Sequence, residues 1–336
     1  MARILSDIPL DETAVRRLEA LPGVTVQQLP PHDKAWELAG DLLRGPAILL
    51  CKLPPTNFGD MPDLKLIQIS TVGYEHLRPL RLGDRPLRVC NARGLFDTAI
   101  AEWNLAMMVN LVRDVPGMLR NQQHAVWQRA SRFQQELRGS CVGLWGYGGI
   151  GRATARLAKA FGMTVHAMTR TGVRPRHNDY AEPGTGDPDG MLPDRVFVAD
   201  QEQEFLAGLD FLVLALPHTQ QSGGMVGEQQ LRALPPTAFV LNPARGPIIQ
   251  EQPLLRALRE GWIAGAALDT HFAYPLPADH PLWRFPNVIL TPHISGADKS
   301  RLFPGRVADL FVQNVARFLD GRPLLNELTP QEWAEA

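Results

Sequence analysis

From Arg3 to about Cys90, short apolar runs alternate with stretches whose apolar residues recur at helical spacing. "RILSDI", "VTVQQL", "AILLC", "KLIQIS" and "LRVC" read as strands, and Val15, Leu18 and Leu21 mark one face of an amphipathic helix over Glu12–Leu21. A longer helical stretch, rich in Ala, Leu, Met and Val, covers Thr98 to about Arg113. A second series then runs through "CVGLWG", "MTVHAM", "DFLVLAL", "AFVLN", "AGAALD" and "NVILTPH", and the chain closes on a helix from about Asp298 to Leu319. Alternating strands and helices predict an α/β protein of two doubly wound parallel-sheet domains, Rossmann-like or flavodoxin-like.

One segment breaks this rhythm. In "TGVRPRHNDYAEPGTGDPDGMLPDR" (171–195) Gly, Pro and Asp dominate and no periodicity survives. A loop of that length inside a compact domain is usually functional or disordered.

Composition narrows the function classes. At 336 residues two domains are expected, and 45% hydrophobic with 21% charged residues describes an ordinary globular protein. A formal charge of −1 gives no overall field to attract nucleic acid or an anionic membrane, so neither is an expected partner. Apolar runs such as "FLVLAL" fall far short of the roughly 20 residues of a membrane span. The N-terminus meets Asp7 before any long apolar region, which makes it a poor signal peptide. Cys51, Cys90 and Cys141 are scattered and odd in number, as buried thiols of a reducing compartment would be. A cytoplasmic location follows, and no Cys or His spacing suggests a metal site.

The chemistry begins at "CVGLWGYGGIGRATARLAKAFG", where Gly146-x-Gly148-x-x-Gly151 follows a strand and opens an Ala-rich helix. Such glycines allow a tight turn and close approach of backbone N–H groups to a pyrophosphate at a helix N-terminus. Gly149 and Ile150 are the expected pyrophosphate contacts. The next strand ends in Thr169-Arg170-Thr171, without the acidic side chain that would accept from the ribose hydroxyls and repel a 2′-phosphate. A hydroxyl beside a guanidinium suits a phosphate, with Arg174, Arg176 and His177 downstream to add positive potential. NADP is therefore favoured over NAD, although the same cations also suit a solvated loop face.

Over nearly its whole length the chain resembles the D-isomer-specific 2-hydroxyacid dehydrogenases. The matching landmarks are "STVGYEHL" (70–77), "NARGLFDTAIAEW" (91–103), "LRGSCVGLWGYGGIGR" (137–152), "LNPARGPIIQEQPLLRAL" (241–258), "GWIAGAALD" (261–269) and "PLWRFPNVILTPHISG" (281–296). The resemblance implies a discontinuous substrate domain, 1–94 plus 297–336, a dinucleotide domain at 95–296, and a substrate cleft between them. It makes Arg245 the residue that binds the 2-oxo acid, where its fork can hold a carboxylate and polarise a ketone. It makes His293 the general acid in reduction and the base in oxidation, a role imidazole can fill near neutral pH. Backbone N–H groups around Val72 and Gly73 would receive the substrate carboxylate. Asp269 would contact the nicotinamide side, and Pro217, Ser222, Pro243 and Ala244 would line the cofactor. Related enzymes pair through the cofactor domain, which implies a homodimer using the helix that begins near Thr98.

The sequence departs from the family where a Glu normally precedes a Pro and pairs with the catalytic His. Here "DTHFAYPLP" (269–277) has Tyr274 before Pro275, with His271 and Phe272 also unusual. Three readings stand open: the phenol hydrogen-bonds His293 and orients it; it fills the pocket and selects the substrate; or rapid catalysis is lost. A neutral partner leaves the His293 pKa nearer the ordinary 6.5 than an ion pair would. Gln250, before Glu251, replaces a customary Asp at a helix start. The activity implied is hydride transfer between NAD(P) and a small 2-oxo or D-2-hydroxy acid, glyoxylate/hydroxypyruvate-reductase-like. The alternative is a dinucleotide-sensing binding protein of the same fold.

Overall fold

The computed structural model describes residues 2–80, 86–130, 132, 134–176, 179–329 and 332; His177 lies outside them. The chain divides into unit 1, Met1–Leu95, Asn178–Glu182 and Lys299–Ala336, and unit 2, Phe96–His177 and Pro183–Asp298.

In unit 1 the apolar runs become β1 (Ala2–Ser6), β2 (Val24–Gln28), β3 (Pro46–Cys51), β4 (Leu66–Ile69) and β5 (Arg88–Cys90). They pair in parallel in the order β2-β1-β3-β4-β5. Between the first two lies α1 (Glu12–Glu19), which starts where the Asp11 carboxylate accepts from the Ala14 N–H at 2.7 Å. Leu5, Leu49, Cys51, Ile67, Ile69 and Val89 form one core of this sheet.

Unit 2 opens with α2 (Asp97–Val112) and α3 (Val115–Gln123). It continues through β6 (Cys141–Trp145), α4 (Gly149–Ala160), β7 (Thr164–Met168), β8 (Arg195–Phe197), α5 (Glu202–Ala207), β9 (Phe211–Leu214), α6 (Glu228–Ala233), β10 (Phe239–Asn242), α7 (Glu251–Glu260), β11 (Gly265–Leu268) and β12 (Val288–Leu290). All seven strands run parallel, in the order β12-β11-β10-β9-β6-β7-β8. The period of two along each strand sends Leu212, Val240 and Ala266 into one apolar core and Val213, Leu241 and Ala267 into another. The sheet is thus buried on both faces, which explains why its strands read as unbroken apolar runs.

The chain returns to unit 1 with α8 (Phe303–Leu319). This helix starts five residues later than its periodicity suggests. Pro304 fits only the first turn, where no N–H is needed, so the residues before it cannot continue a helix toward Asp298.

The order of strands sets where chemistry can collect. In unit 2 the chain reverses direction across the sheet between β6 and β9, and ligands of such sheets bind beyond the carboxyl ends of the strands near that point.

Candidate active site

The carboxyl edge of the unit 2 sheet gathers the residues singled out by sequence. After β6 comes Gly146 to Gly151, after β7 Thr169 and Arg170, and after β9 Pro217 and Ser222. Pro243, Ala244 and Arg245 follow β10, Asp269 follows β11, and His293 follows β12.

The glycine turn has the shape a dinucleotide requires. Gly146 adopts φ +101°, and a side chain there would strike the Ala215 carbonyl; one at Gly151 would strike the Gly146 carbonyl. Gly148 is the N-cap of α4 and offers no capping side chain, and Gly149 and Ile150 begin the helix with the first-turn N–H groups that suit an anion, with the Asp97 carboxylate lying against Gly149. Thr169 keeps a buried hydroxyl oxygen without a hydrogen-bond partner, and the exposed Arg170 reaches Gln221 at 3.4 Å. These features fit a dinucleotide lying across the turn with its adenosine end toward β7.

Other expected cofactor contacts serve the edge itself. The buried Ser222 donates its hydroxyl to the Pro217 carbonyl at 2.7 Å and accepts from the Thr219 N–H at 2.8 Å, which fixes the loop after β9. Pro243 and Ala244 are buried in the turn that Asn242 braces, its Oδ1 accepting from the Ala244 N–H and its Nδ2 donating to the Arg245 carbonyl. Gln250 sits at the start of α7 without capping it; its side-chain amide donates to the Gly224 carbonyl at 2.7 Å.

Arg245 is half-buried, and one guanidinium nitrogen donates to the Ala244 carbonyl at 2.8 Å. Among the described residues no carboxylate pairs with it. His293 is exposed and has the left-handed backbone of φ +57°. That conformation costs a non-glycine residue about 1–2 kcal/mol.

Asp269 supplies the compensation. It is fully buried, and its oxygens accept from the Thr291 hydroxyl, the Ile294 N–H at 2.9 Å and the Ser295 N–H at 3.0 Å. Its carbonyl also accepts from the His293 N–H at 2.8 Å. The carboxylate therefore braces the turn that presents the imidazole. Partial removal of the ring from water holds the His293 pKa below the ordinary 6.5, and the Arg245 charge pushes it further in the same direction; Asp269 opposes, and His271 adds to the lowering.

The hydrogen bond from Tyr274 to His293 is not made. The Tyr274 oxygen instead accepts from the His271 N–H at 3.2 Å, and the phenol meets the imidazole as a tilted ring, centroids 5.6 Å apart at 49°. His271, missed as a neighbour by sequence reasoning, is buried with its Nε2 2.8 Å from the Thr291 carbonyl and its Nδ1 buried without a partner. Its position two residues after the family's Asp was the only sequence signal for it.

In unit 1, Val72 and Gly73 lie beyond the carboxyl end of β4, with Val72 36% exposed. The Val72 carbonyl accepts from the Asn91 amide at 2.9 Å and the Gly73 carbonyl from the Thr71 hydroxyl at 2.8 Å. Their own N–H groups donate to nothing among the described residues. Among the described residues no three His, Cys, Asp or Glu side chains form a metal-holding group, and no helix is long and apolar enough to cross a membrane.

Residues 105–295 match the family model described as D-isomer specific 2-hydroxyacid dehydrogenase, NAD binding domain. A glyoxylate reductase of Thermofilum pendens is 31% identical over 265 residues, 77% of this chain and 73% of that protein. Among solved structures, a D-isomer specific 2-hydroxyacid dehydrogenase family protein of Aeromonas salmonicida superposes with a TM-score of 0.76 at 28% identity, covering 98% of this chain and 99% of that one. A D-isomer specific 2-hydroxyacid dehydrogenase of Xanthobacter autotrophicus Py2, solved in complex with NADPH and MES, gives 0.76 at 27%, covering 99% and 100%.

Proposed function

The chain belongs to the D-isomer-specific 2-hydroxyacid dehydrogenase family, and from that membership we propose that it is a nicotinamide-dependent reductase of a small 2-oxo acid of the glyoxylate or hydroxypyruvate type, able to run the reverse oxidation. The observation that carries this reading is that one sheet edge presents both a guanidinium with no carboxylate partner among the described residues, Arg245 just past β10, and an exposed imidazole, His293 just past β12.

A bound reduced nicotinamide supplies the hydride. Arg245 holds the substrate carboxylate and polarises the ketone, which aligns the carbonyl carbon for attack. His293 passes its proton to the oxygen as negative charge develops there, and takes it back in the oxidation. Tyr274 acts as a positioning residue, its tilted ring set against His293, and Asp269 positions the same imidazole through its turn.

The glycine turn, with Gly146, Gly148, Gly149, Ile150 and Gly151, is the dinucleotide site, and unit 2 is the dinucleotide domain. NADP is the preferred form, supported by the partnerless Thr169 hydroxyl and the exposed Arg170. Two of the three thiols are buried and all are unpaired, in keeping with a cytoplasmic enzyme. Phe161, 49% exposed beside α2, supports pairing of two copies there.

The deciding experiment is turnover with a panel of 2-oxo acids, each with NADH and NADPH. Oxidation of either cofactor by glyoxylate or hydroxypyruvate is expected, with the larger kcat/KM for NADPH. Binding of both cofactors without oxidation by any acid would make the protein a dinucleotide sensor instead. A larger kcat/KM with NADH would overturn the assignment of Thr169 and Arg170.

A further inference from the structure

The parts of the 171–195 segment that belong to unit 2, residues 171–176 and 183–195, have no periodicity in sequence but are built to a definite shape. Buried Arg152 donates to the carbonyls of Asp187 and Arg174, and Arg156 donates to the Gly186 carbonyl. The Tyr147 hydroxyl donates to the Asp187 carboxylate at 2.7 Å, and that carboxylate also accepts from the Met191 and Leu192 N–H groups at 3.0 Å. The Arg176 N–H donates to the Pro188 carbonyl at 2.8 Å, which draws the two limbs of the loop together. Tyr147 and Arg152 belong to the glycine-turn motif itself, so the loop is fastened to the segment that opens α4.

The consequence is the place of one side chain. A guanidinium nitrogen of Arg176 lies 3.3 Å from where a Cβ on Gly148 would be, directly over the N-cap of α4. That is the position a pyrophosphate takes at a glycine-rich turn, where the α4 N–H groups already point. A guanidinium there adds charged, forked donors matched to phosphate oxygens.

We propose that residues 171–176 and 183–195 form a built-in clamp that holds Arg176 over the Gly146–Gly151 turn, where its guanidinium binds the pyrophosphate of the dinucleotide. The inference rests on the dinucleotide reading above. It separates the tasks of two arginines. Arg170 reads the adenosine end, where NAD and NADP differ, whereas Arg176 grips the pyrophosphate that they share.

The test is equilibrium binding without turnover. NADH and NADPH are titrated by nicotinamide fluorescence and ADP-ribose by calorimetry, against the wild type, Arg176→Ala, Arg176→Lys and Asp187→Ala. Loss of one charge-assisted contact lowers affinity roughly tenfold, and Arg176→Ala is expected to show that loss equally for all three ligands. Arg176→Lys should recover part of it. Asp187→Ala, which touches no ligand but releases the loop, should weaken all three as well. Unchanged affinity in Arg176→Ala overturns the clamp, as does tighter binding, which would make the guanidinium an obstruction. A loss confined to NADPH moves Arg176 to the 2′-phosphate and also overturns it. A wild type that binds none of the ligands fails the dinucleotide reading itself, and the clamp with it; a wild type that binds while Arg176→Ala binds equally well fails the clamp alone. Should Arg176→Ala not fold, Arg176→Gln is read by the same titrations.

Discussion

The Tyr274 ring lies 5.6 Å from the His293 imidazole at 49°, while its oxygen accepts from the His271 N–H at 3.2 Å. Tyr274 therefore meets the imidazole with its tilted ring and uses its oxygen on a local turn. The ring carries the relationship with His293.

Tyr274→Phe keeps the ring and removes only the acceptor for the His271 N–H. Because Tyr274 is 58% exposed, water can replace that acceptor, and the cost to stability should be about 1 kcal/mol or less. The kcat for 2-oxo acid reduction is expected to stay within about threefold of wild type, an activation difference under about 1 kcal/mol. Tyr274→Ala, which removes the ring, should lose at least tenfold in kcat/KM. Steady-state kinetics of the two variants check the order; a tenfold fall in kcat for Tyr274→Phe would return the catalytic weight to the hydroxyl.

The pH dependence follows from the direction of the His293 shift. Removal from water and the Arg245 charge make the protonated ring less stable, so its pKa lies below 6.5. Reduction needs the protonated imidazole, so its kcat/KM falls as pH rises through that lowered value. Oxidation needs the neutral form and falls as pH drops through it. Tyr274→Glu places a negative charge near the ring, favours its protonated form, and should move both profiles to higher pH. Rate profiles in the two directions for wild type and Tyr274→Glu test this; coincident profiles would falsify it.

Much of this architecture is legible in the sequence because parallel strands buried on both faces leave continuous apolar runs, as at "FLVLAL" and "AFVLN". The placement of Gly146, Arg245, Asp269 and His293 on one edge follows once those runs are strands of one parallel sheet, since each residue sits just past a strand end. The form of 171–176 and 183–195 is not legible. Its order comes from single long-range contacts, Tyr147 to Asp187 and Arg152 to the Arg174 carbonyl, which leave no period along the chain. The partner of the Tyr274 oxygen is hidden for the opposite reason: its donor is a backbone N–H only three residues earlier, and a main-chain donor leaves no mark in residue type. The late start of α8 shows a local rule, the restriction at Pro304, overriding periodicity.

Asp269 should prove more important to the position of His293 than its burial alone suggests. Its carboxylate oxygens accept from two backbone N–H groups and one hydroxyl, and that turn holds His293 at φ +57°. Asp269→Asn replaces one acceptor oxygen by a donor, leaving a buried N–H opposed, at a cost of about 1–3 kcal/mol. The expected outcome is a lower Tm together with a fall of about a hundredfold in kcat, since small misplacement of a catalytic group costs that much. Cofactor Kd, set at the glycine turn, should change far less. A variant that loses cofactor affinity but keeps kcat would place Asp269 against the nicotinamide instead.

Unit 1 contains a titratable group that should tune stability. Asp7, just after β1, is fully buried with neither carboxylate oxygen accepting a hydrogen bond, and His32 Nδ1 stands 3.8 Å away. Burial pushes its pKa up to about 7, outweighing the lowering by the backbone N–H groups of Lys52, Asp7 and His32, while the charge of Asp33 acts in the same direction as burial. For an acid whose native pKa is raised, the native state keeps a proton that the unfolded chain releases. Its contribution is intact below the unfolded value near 4 and is lost as pH rises through about 7. At about 1.4 kcal/mol per tenfold change in proton affinity, the loss approaches roughly 4 kcal/mol by pH 8. Asp7→Asn cannot titrate and escapes it. Urea unfolding of both proteins from pH 4.5 to 8 should show the stability of the variant rising steadily relative to wild type, whatever constant offset the buried amide adds. Parallel stability curves across that range would mean that Asp7 is ionised in the native state at every pH tested.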